Sequence, residues 1–266
     1  MGEHSERDRG DAPPDRAVSG FEADWLALRS DADARARDPA LLAAAAERVG
    51  DGLALDLGAG TGATLWALAP QAPAARWRLV DDDPALLQEA ERRAETLGAR
   101  AETLRLDLAR HPEAALEGRP ALVTASAFFD LVSEDWMRCF AAAARSAGAA
   151  VYAALTYDGV EWWSPPHGED AAVRRAFAAD MIRDKGFGPA LGGRAAQALA
   201  DALAAEGYRV RRAASPWRLT QARDGALIAA LAEGQARACG ASDDWLAARR
   251  ASETVEIGHE DLFATP

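Results

Sequence analysis

The sequence has few cysteines and no long apolar run. Cys139 and Cys239 are isolated among 266 residues, with no Cys-x-x-Cys pair and no histidine at ligand spacing. We therefore expect a reducing compartment, no disulfide framework and no metal site. No segment approaches the roughly 20 apolar residues of a membrane span. The first 20 residues lack the apolar core of a secretory signal. These absences predict a soluble, cytoplasmic protein without a membrane partner.

Basic charge is also scarce, since 30 basic residues face 42 acidic ones and the net charge is −12. An acidic chain repels phosphate backbones and anionic lipid surfaces, so we expect no nucleic-acid partner. Lys185 is the only lysine. Its compact ammonium group could bind an anionic substrate, or it could be a solvated residue at a helix end.

Hydrophobic residues make up 49% of the chain, enough for the core of one large α/β domain. After helical segments over residues 21–50, short apolar runs alternate with amphipathic helices, which predicts parallel strands joined by helical crossovers. The expected strands are Leu53–Leu57, Trp77–Asp81, Thr103–Leu108, Ala121–Ala127, Ala149–Thr156, Tyr208–Ala213 and Thr254–Ile257. Residues 158–168 are expected to be irregular, and residues 224–250 to form one helical stretch.

The most informative segment is Leu55–Ala63, LDLGAGTGA, which ends the first strand and opens a helix. Glycines there permit a tight turn and let a ligand approach the backbone. The pattern also fits a dinucleotide site, and Asp81, 23 residues beyond Gly58, could accept ribose hydroxyls in either case. Asp56 favours a cationic ligand over a pyrophosphate. An NAD(P)-dependent oxidoreductase remains the less favoured alternative.

Together with LVDDDP and LRLDLA, the LDLGAGTG segment resembles the motifs of class I S-adenosylmethionine-dependent methyltransferases. The resemblance implies a doubly wound, mostly parallel seven-stranded sheet, the cofactor S-adenosylmethionine, and methyl transfer to O, N or C of a small-molecule acceptor. The chain lacks an Asn/Asp-Pro-Pro-Tyr motif and an acidic start to the fourth strand. A non-catalytic module of the same fold that binds S-adenosylmethionine is a further alternative.

The resemblance also assigns roles to individual residues. Asp56 is expected near the methionine end of the cofactor, Asp81 or Asp82 at the ribose, Asp107 at the adenine, and Ser126 near the reactive methyl. The full set of implied cofactor contacts is Asp56, Gly58, Ala59, Gly60, Gly62, Asp81, Asp82, Asp107, Leu108 and Ser126.

Asp83, before Pro84, is expected to cap a helix rather than to bind the cofactor. The implied organisation is a flexible tail (residues 1–20) and a single methyltransferase domain (residues 21–266). That domain begins with an N-terminal helical cover (21–50), followed by a cofactor-binding core (51–160). Residues 161–266 contain the last strands and the acceptor-side helical insertions, which follow strands five and six.

Acceptor contacts are expected from the ends of strands four and five, the N-terminal helix and the segment after strand five. The candidates are Phe21, Trp25, Phe129, Tyr157, Asp158, Trp162, Trp163 and Lys185, with Phe128 and Asp130 in the same region. Trp162 and Trp163 could instead seal the sheet edge, and Phe21 and Trp25 could be helix packing.

No catalytic residue is identified by a motif, and the candidates are Tyr157, His167 and Lys185. His4, His111 and His259 are expected in the tail, at a helix start, and at an edge strand or the surface, respectively. The oligomeric state is left open.

Overall fold

The computed structural model describes residues 19–110, 113 and 116–266. Residues 1–18, most of the expected tail including His4, lie outside this range, as does His111. Within the described range, no helix combines the length and apolar character needed to cross a bilayer.

Strands of the described chain form one sheet in the order β3-β2-β1-β4-β5-β8-β6, with β7 paired to β8. They are β1 (Leu53–Leu57), β2 (Arg76–Asp81), β3 (Arg100–Arg105), β4 (Leu122–Ser126), β5 (Ala150–Ser164), β6 (Arg209–Ala214), β7 (Trp217–Thr220) and β8 (Thr254–Thr265). The first five strands are parallel, and β8 is antiparallel to β5, β6 and β7. The predicted doubly wound, mostly parallel α/β fold is confirmed, with eight described strands instead of seven.

Helices cover both faces of the sheet. They are α1 (Ser19–Ala36), α2 (Pro39–Val49), α3 (Ala63–Leu68), α4 (Pro84–Leu97), α5 (Glu134–Ala147), α6 (Asp170–Met181), α7 (Ala195–Ala205), α8 (Gln221–Cys239) and α9 (Asp243–Arg250). Helix α4 begins where Asp83 accepts the backbone N–H of Ala85 at 2.7 Å. The predicted cap at Asp83 is thus confirmed.

The core has two main layers. On one face, Trp136 and Phe140 of α5 pack with Leu199 of α7 against the strands. On the other face, α2, α3 and α4 cover the sheet with small and aliphatic side chains such as Leu41 and Leu65. Because the crossovers are helical, the carboxyl ends of β1, β2 and β4 meet at one edge, where ligands bind in open α/β sheets.

The prediction of irregular chain over residues 158–168 was wrong for its first half. β5 continues to Ser164 because β8 extends alongside it, pairing Glu161 with Ile257 and Trp163 with Val255. Two register shifts separate this distal part from the proximal ladder. Extended chain alternates its side chains between faces, so Trp162 is 69% exposed while Trp163 is 7% exposed.

Three other boundaries differ from the prediction. β3 runs from Arg100 to Arg105 because its pairing with β2 starts at Arg76. The expected helix over residues 224–250 is divided at Gly240, whose φ of 63° ends α8. β7 was not predicted, since four residues beside a proline carry little periodic signal.

Candidate active site

The turn between β1 and α3 depends on glycine. Gly58, Gly60 and Gly62 have φ values of 59°, 53° and 82°, a region that side chains with a Cβ rarely adopt. A Cβ on Gly58 would lie 2.6 Å from Cδ2 of Phe128. The turn therefore leaves its backbone open and holds the Phe128 ring close beside it.

Asp81, at the end of β2, is fixed by this turn. Its Oδ2 accepts the backbone N–H of Gly60 at 2.9 Å, and its Oδ1 accepts that of Asp83 at 3.1 Å. Burial raises the pKa of Asp81, and the two backbone hydrogen bonds partly offset that rise. The carboxylate is consequently oriented before any ligand arrives.

A cavity of about 840 Å³ opens in front of the turn. We call it the glycine-turn cavity, and it is lined by eight of the ten predicted cofactor residues: Gly58, Ala59, Gly60, Asp81, Asp82, Asp107, Leu108 and Ser126. In the turn after β3, Asp107 accepts the N–H of Ala109 at 3.0 Å and lies 3.3 Å from Nε of Arg110. The glycine turn and the two acidic segments that follow β2 and β3 thus border one cavity.

The other two predicted cofactor residues, Asp56 and Gly62, do not line this cavity. Asp56 is 1% exposed and accepts a hydrogen bond from Thr124 Oγ1 at 2.6 Å, while its Oδ2 has no partner. Burial raises the pKa of Asp56 to about 7. Gly62 begins α3, where a Cβ would lie 3.4 Å from Cβ of Ala90. Both residues support the turn from behind.

Arg37 is a polar residue of this region that the sequence did not reveal. It lies between α1 and α2, is 6% exposed, and donates from Nη2 to Oγ of Ser126 at 2.9 Å. Its Nη1 has no partner. Nothing in the local pattern around Arg37 distinguishes it from the many surface arginines, because its partner is 89 residues away.

A second cavity of about 530 Å³ adjoins the first. We call it the apolar cavity. The aromatic and aliphatic side chains that line it include Trp25, Tyr157, Phe177, Trp217, Ile257 and His259. The two cavities share Trp25, Arg29, Ala127 and Leu131. Its volume and its largely apolar lining with few polar groups are typical of small-molecule sites.

Helix α1 is held over both cavities by a polar cluster. Arg29 pairs with Asp33 at 3.0 Å, and its guanidinium lies 4.9 Å from the ring centroid of Trp217. Trp217 Nε1 in turn donates to Asp33 Oδ1 at 3.0 Å. This cluster joins α1 to β7 and sets the position of Trp25.

Two residues at the apolar cavity have strained backbones. Ala127 and Leu155 have φ values of 50° and 54°, which cost energy for residues with a Cβ. The N–H of Leu155 donates to the buried Oδ1 of Asp261 at 2.9 Å, within the first register shift of β5. Strain that is compensated in this way is common at functional sites.

His259 also lines the apolar cavity, which corrects its expected position at an edge or the surface. It lies on β8, between β5 and β6, and is 6% exposed. Burial and the charge of Arg29 lower its pKa to about 3. The imidazole is therefore neutral at physiological pH.

The predicted acceptor residues are divided between several places. Tyr157 lines the apolar cavity, and burial raises the pKa of its hydroxyl above the usual range. Phe129 is 1% exposed and packs 5.2 Å from the ring of Phe140. Asp158 lies outside both cavities, and its Oδ1 accepts the N–H of Val160 at 2.8 Å. The side chain of Phe21 lies outside the described residues.

Trp162, Trp163 and His167 line a third, smaller cavity of about 280 Å³ away from the glycine turn. His167 Nε2 lies 3.1 Å from Asp244 Oδ2. Lys185 lines the glycine-turn cavity, with its Nζ 3.4 Å from Asp180 Oδ2. Of the three catalytic candidates, only Tyr157 is at the apolar cavity.

Comparison with known proteins agrees with this geometry. Residues 54–148 match the family described as the methyltransferase domain. No curated protein matches the chain. A cyclopropane-fatty-acyl-phospholipid synthase-like protein from Lactobacillus casei ATCC 334 is 14% identical, with 93% of this chain and 98% of that chain covered and a TM-score of 0.57.

Two further solved structures are similar. The pyocyanin biosynthetic protein PhzM is 16% identical, with 94% of this chain and 60% of PhzM covered and a TM-score of 0.50. A geranyl diphosphate methyltransferase in complex with S-adenosylmethionine is 16% identical, with 95% of this chain and 92% of that chain covered and a TM-score of 0.48. This chain thus spans about three fifths of the length of PhzM. At such identities the structural likeness concerns the fold alone.

The matched domain contains the glycine turn and both acidic segments that face the first cavity. The chain therefore contains a methyltransferase domain over residues 54–148, and S-adenosylmethionine is the cofactor that such a domain uses.

Proposed function

We propose that the protein methylates a small-molecule acceptor that binds in the apolar cavity, while the cofactor binds in the glycine-turn cavity. The observation that carries the proposal is that the two cavities adjoin at the carboxyl end of β4, where both are bordered by Ala127. A bound S-adenosylmethionine supplies a methyl group attached to a positively charged sulfur, and the acceptor atom must reach that methyl group from the other side.

The residues of the glycine-turn cavity fit such a cofactor. The turn requires glycine at position 58, because a Cβ there would meet the Phe128 ring. Because its glycines lack side chains, the turn lets a ligand approach its backbone closely. Asp81 has a carboxylate oriented by two backbone N–H groups, suited to accept hydrogen bonds from ribose hydroxyls. Asp107 and Leu108 would border the base, and the acidic lining favours a cationic ligand over a phosphate.

The acceptor side is formed by elements distant in sequence. Trp25 of α1 lines both cavities, which supports a covering role for residues 21–50. Displacement at a sulfonium carbon depends mainly on alignment, so holding the acceptor against rigid aromatic walls can provide much of the rate acceleration. The small volume and acidic charge favour a small molecule over nucleic acid as acceptor.

The test is calorimetric titration of the purified chain with S-adenosylmethionine and S-adenosylhomocysteine. We expect both to bind and Asp81→Ala to abolish binding, because the ribose loses its oriented partner. Asp38→Asn is the matched control, since Asp38 caps α2 and lies outside both cavities, so its replacement by asparagine should leave the affinity unchanged. Absence of binding to the unaltered protein, or binding of NADH in its place, would refute the proposal.

A further inference from the structure

Two buried carboxylates line the apolar cavity, and their surroundings differ. Glu161 accepts a hydrogen bond from Nε2 of Gln235 at 2.5 Å. Asp130, in the turn Phe129–Leu131 after β4, is 7% exposed, and its Oδ1 has no hydrogen-bond partner. Asp130 is therefore the less well compensated of the two acids, because one of its carboxylate oxygens has no donor.

No cation of the described chain pairs with Asp130. The nearest charge that acts on it is Arg29, whose guanidinium is already bound to Asp33. Burial raises the pKa of Asp130 to about 6, so the carboxylate is mainly ionised at pH 7. A buried carboxylate with one oxygen unpaired is costly, and a ligand that donates a hydrogen bond to that carboxylate recovers part of the cost.

Aromatic side chains line the same cavity as Asp130. Trp25, Tyr157, Phe177, Trp217 and His259 surround the space, and the imidazole ring lies 5.0 Å from the indole ring of Trp217. Aromatic walls favour flat, aromatic ligands through edge and face contacts. A neutral His259 adds no charge that would favour an anionic ligand.

We propose that the acceptor is an aromatic molecule carrying an N–H or O–H group, and that Asp130 is the residue that selects it by accepting a hydrogen bond from that group. This inference rests on the proposed function, because it assigns the apolar cavity to the acceptor. Asp130 acts here as a specificity-determining residue, and it distinguishes protic aromatic molecules from aprotic ones of the same shape.

The experiment uses indole and benzofuran, which have nearly the same shape and differ in the ring N–H. Both are titrated by calorimetry into the protein saturated with S-adenosylhomocysteine. We expect indole to bind the unaltered protein about tenfold more tightly than benzofuran, the typical value of one hydrogen bond to a charged group. In Asp130→Leu, which removes the carboxylate, the two affinities should agree to within about twofold.

Asp158→Asn is the matched control, because it neutralises another acid of β5 that lies outside both cavities, and it should preserve the preference for indole. If Asp130→Leu does not fold, Asp130→Asn keeps the size of the side chain, and the preference should fall to about threefold or less.

The outcomes separate the two proposals. Equal affinity of both probes for the unaltered protein, binding of neither probe, or an undiminished preference for indole in Asp130→Leu would overturn the role of Asp130 while leaving the cofactor site intact. Failure of S-adenosylhomocysteine itself to bind would overturn the proposed function.

Discussion

The two cavities are built in different ways. The glycine-turn cavity takes most of its lining from four short segments that follow the parallel strands β1 to β4, so the carboxyl edge of the sheet assembles it. The apolar cavity combines residues from α1, the turn after β4, β5, α6, β7, α8 and β8. One depends on backbone conformation and the other on long-range packing, so substitutions should affect them separately.

The largest effect is expected from Gly58→Ala. Alanine is unfavourable at the φ of 59° that Gly58 adopts, and its Cβ would displace the Phe128 ring. The affinity for S-adenosylhomocysteine should therefore fall about 100-fold, or ~3 kcal/mol. Gly98→Ala is the control, since Gly98 has a φ of 64° but nothing within 4 Å of an added Cβ. It should lower stability by ~1 kcal/mol and leave cofactor affinity unchanged. Equal losses of affinity in both variants would show that the cavity does not depend on close packing at Gly58.

Asp56→Asn tests whether the buried carboxyl group behind the glycine turn makes stability depend on pH. Its folded-state pKa of about 7 lies above the ordinary value of 3.8, so its contribution to stability is present at low pH and is lost as pH rises from about 4 to about 7. Asp56→Asn should reduce the decline in Tm between about pH 5 and pH 8 by several degrees. Thermal unfolding at several pH values measures this decline.

His259 acts in the opposite direction, because its lowered pKa removes stability as pH falls from about 6.5 to about 3. Both proteins contain His259, so its contribution cancels when Asp56→Asn is compared with the unaltered protein at each pH. An identical pH dependence in Asp56→Asn would contradict the prediction. Affinity for S-adenosylhomocysteine decides separately whether Asp56 contributes to the cofactor site, as the family resemblance implies. A large loss would extend the cofactor site to this buried residue.

Trp217→Phe tests the apolar cavity alone. It removes the hydrogen bond to Asp33 and the indole face beside Arg29, so unfolding free energy should fall by ~1–2 kcal/mol and indole binding should weaken severalfold. S-adenosylhomocysteine binding should be unchanged. Trp66→Phe, at a side chain 47% exposed and outside both cavities, is the control and should change neither property. Equal effects on both ligands would mean that the cavities are not separable.

The smallest effect is expected from Lys185→Ala. Lys185 is at the glycine-turn cavity, and its ammonium already lies near Asp180. A partly exposed pair of this kind contributes little, so we expect affinity for S-adenosylhomocysteine to change by about twofold at most. Once an acceptor is identified, its KM should be unchanged. An increased KM in Lys185→Ala would instead support an anionic acceptor bound by this residue.

Prediction from sequence succeeded where the signal was local. The glycine turn, the acid at the end of β2 and the cap at Asp83 each depend on residues within a few positions of one another, and the structure brings Asp81 and Asp107 to one cavity. Prediction failed where a distant strand decided the conformation. β5 continues through Trp163 because β8, almost 100 residues later, pairs with it.

The acceptor side shows the same limit. Asp130 could be placed near the site from its position after the fourth strand, but its lack of a partner could not be predicted. His259 was expected at an edge strand or the surface, because a single histidine near a short strand carries no information on burial. Arg29 and Trp217 belong to one cluster only through the packing of α1 on β7.

The sequence by itself determined the class of fold and the first cavity, because strand–turn–helix periodicity and positive-φ glycines are local properties of the chain. Only the tertiary structure decided the second cavity. Its walls come from seven segments, and the costs of burying Asp130 and of straining Leu155 arise only when those segments pack together.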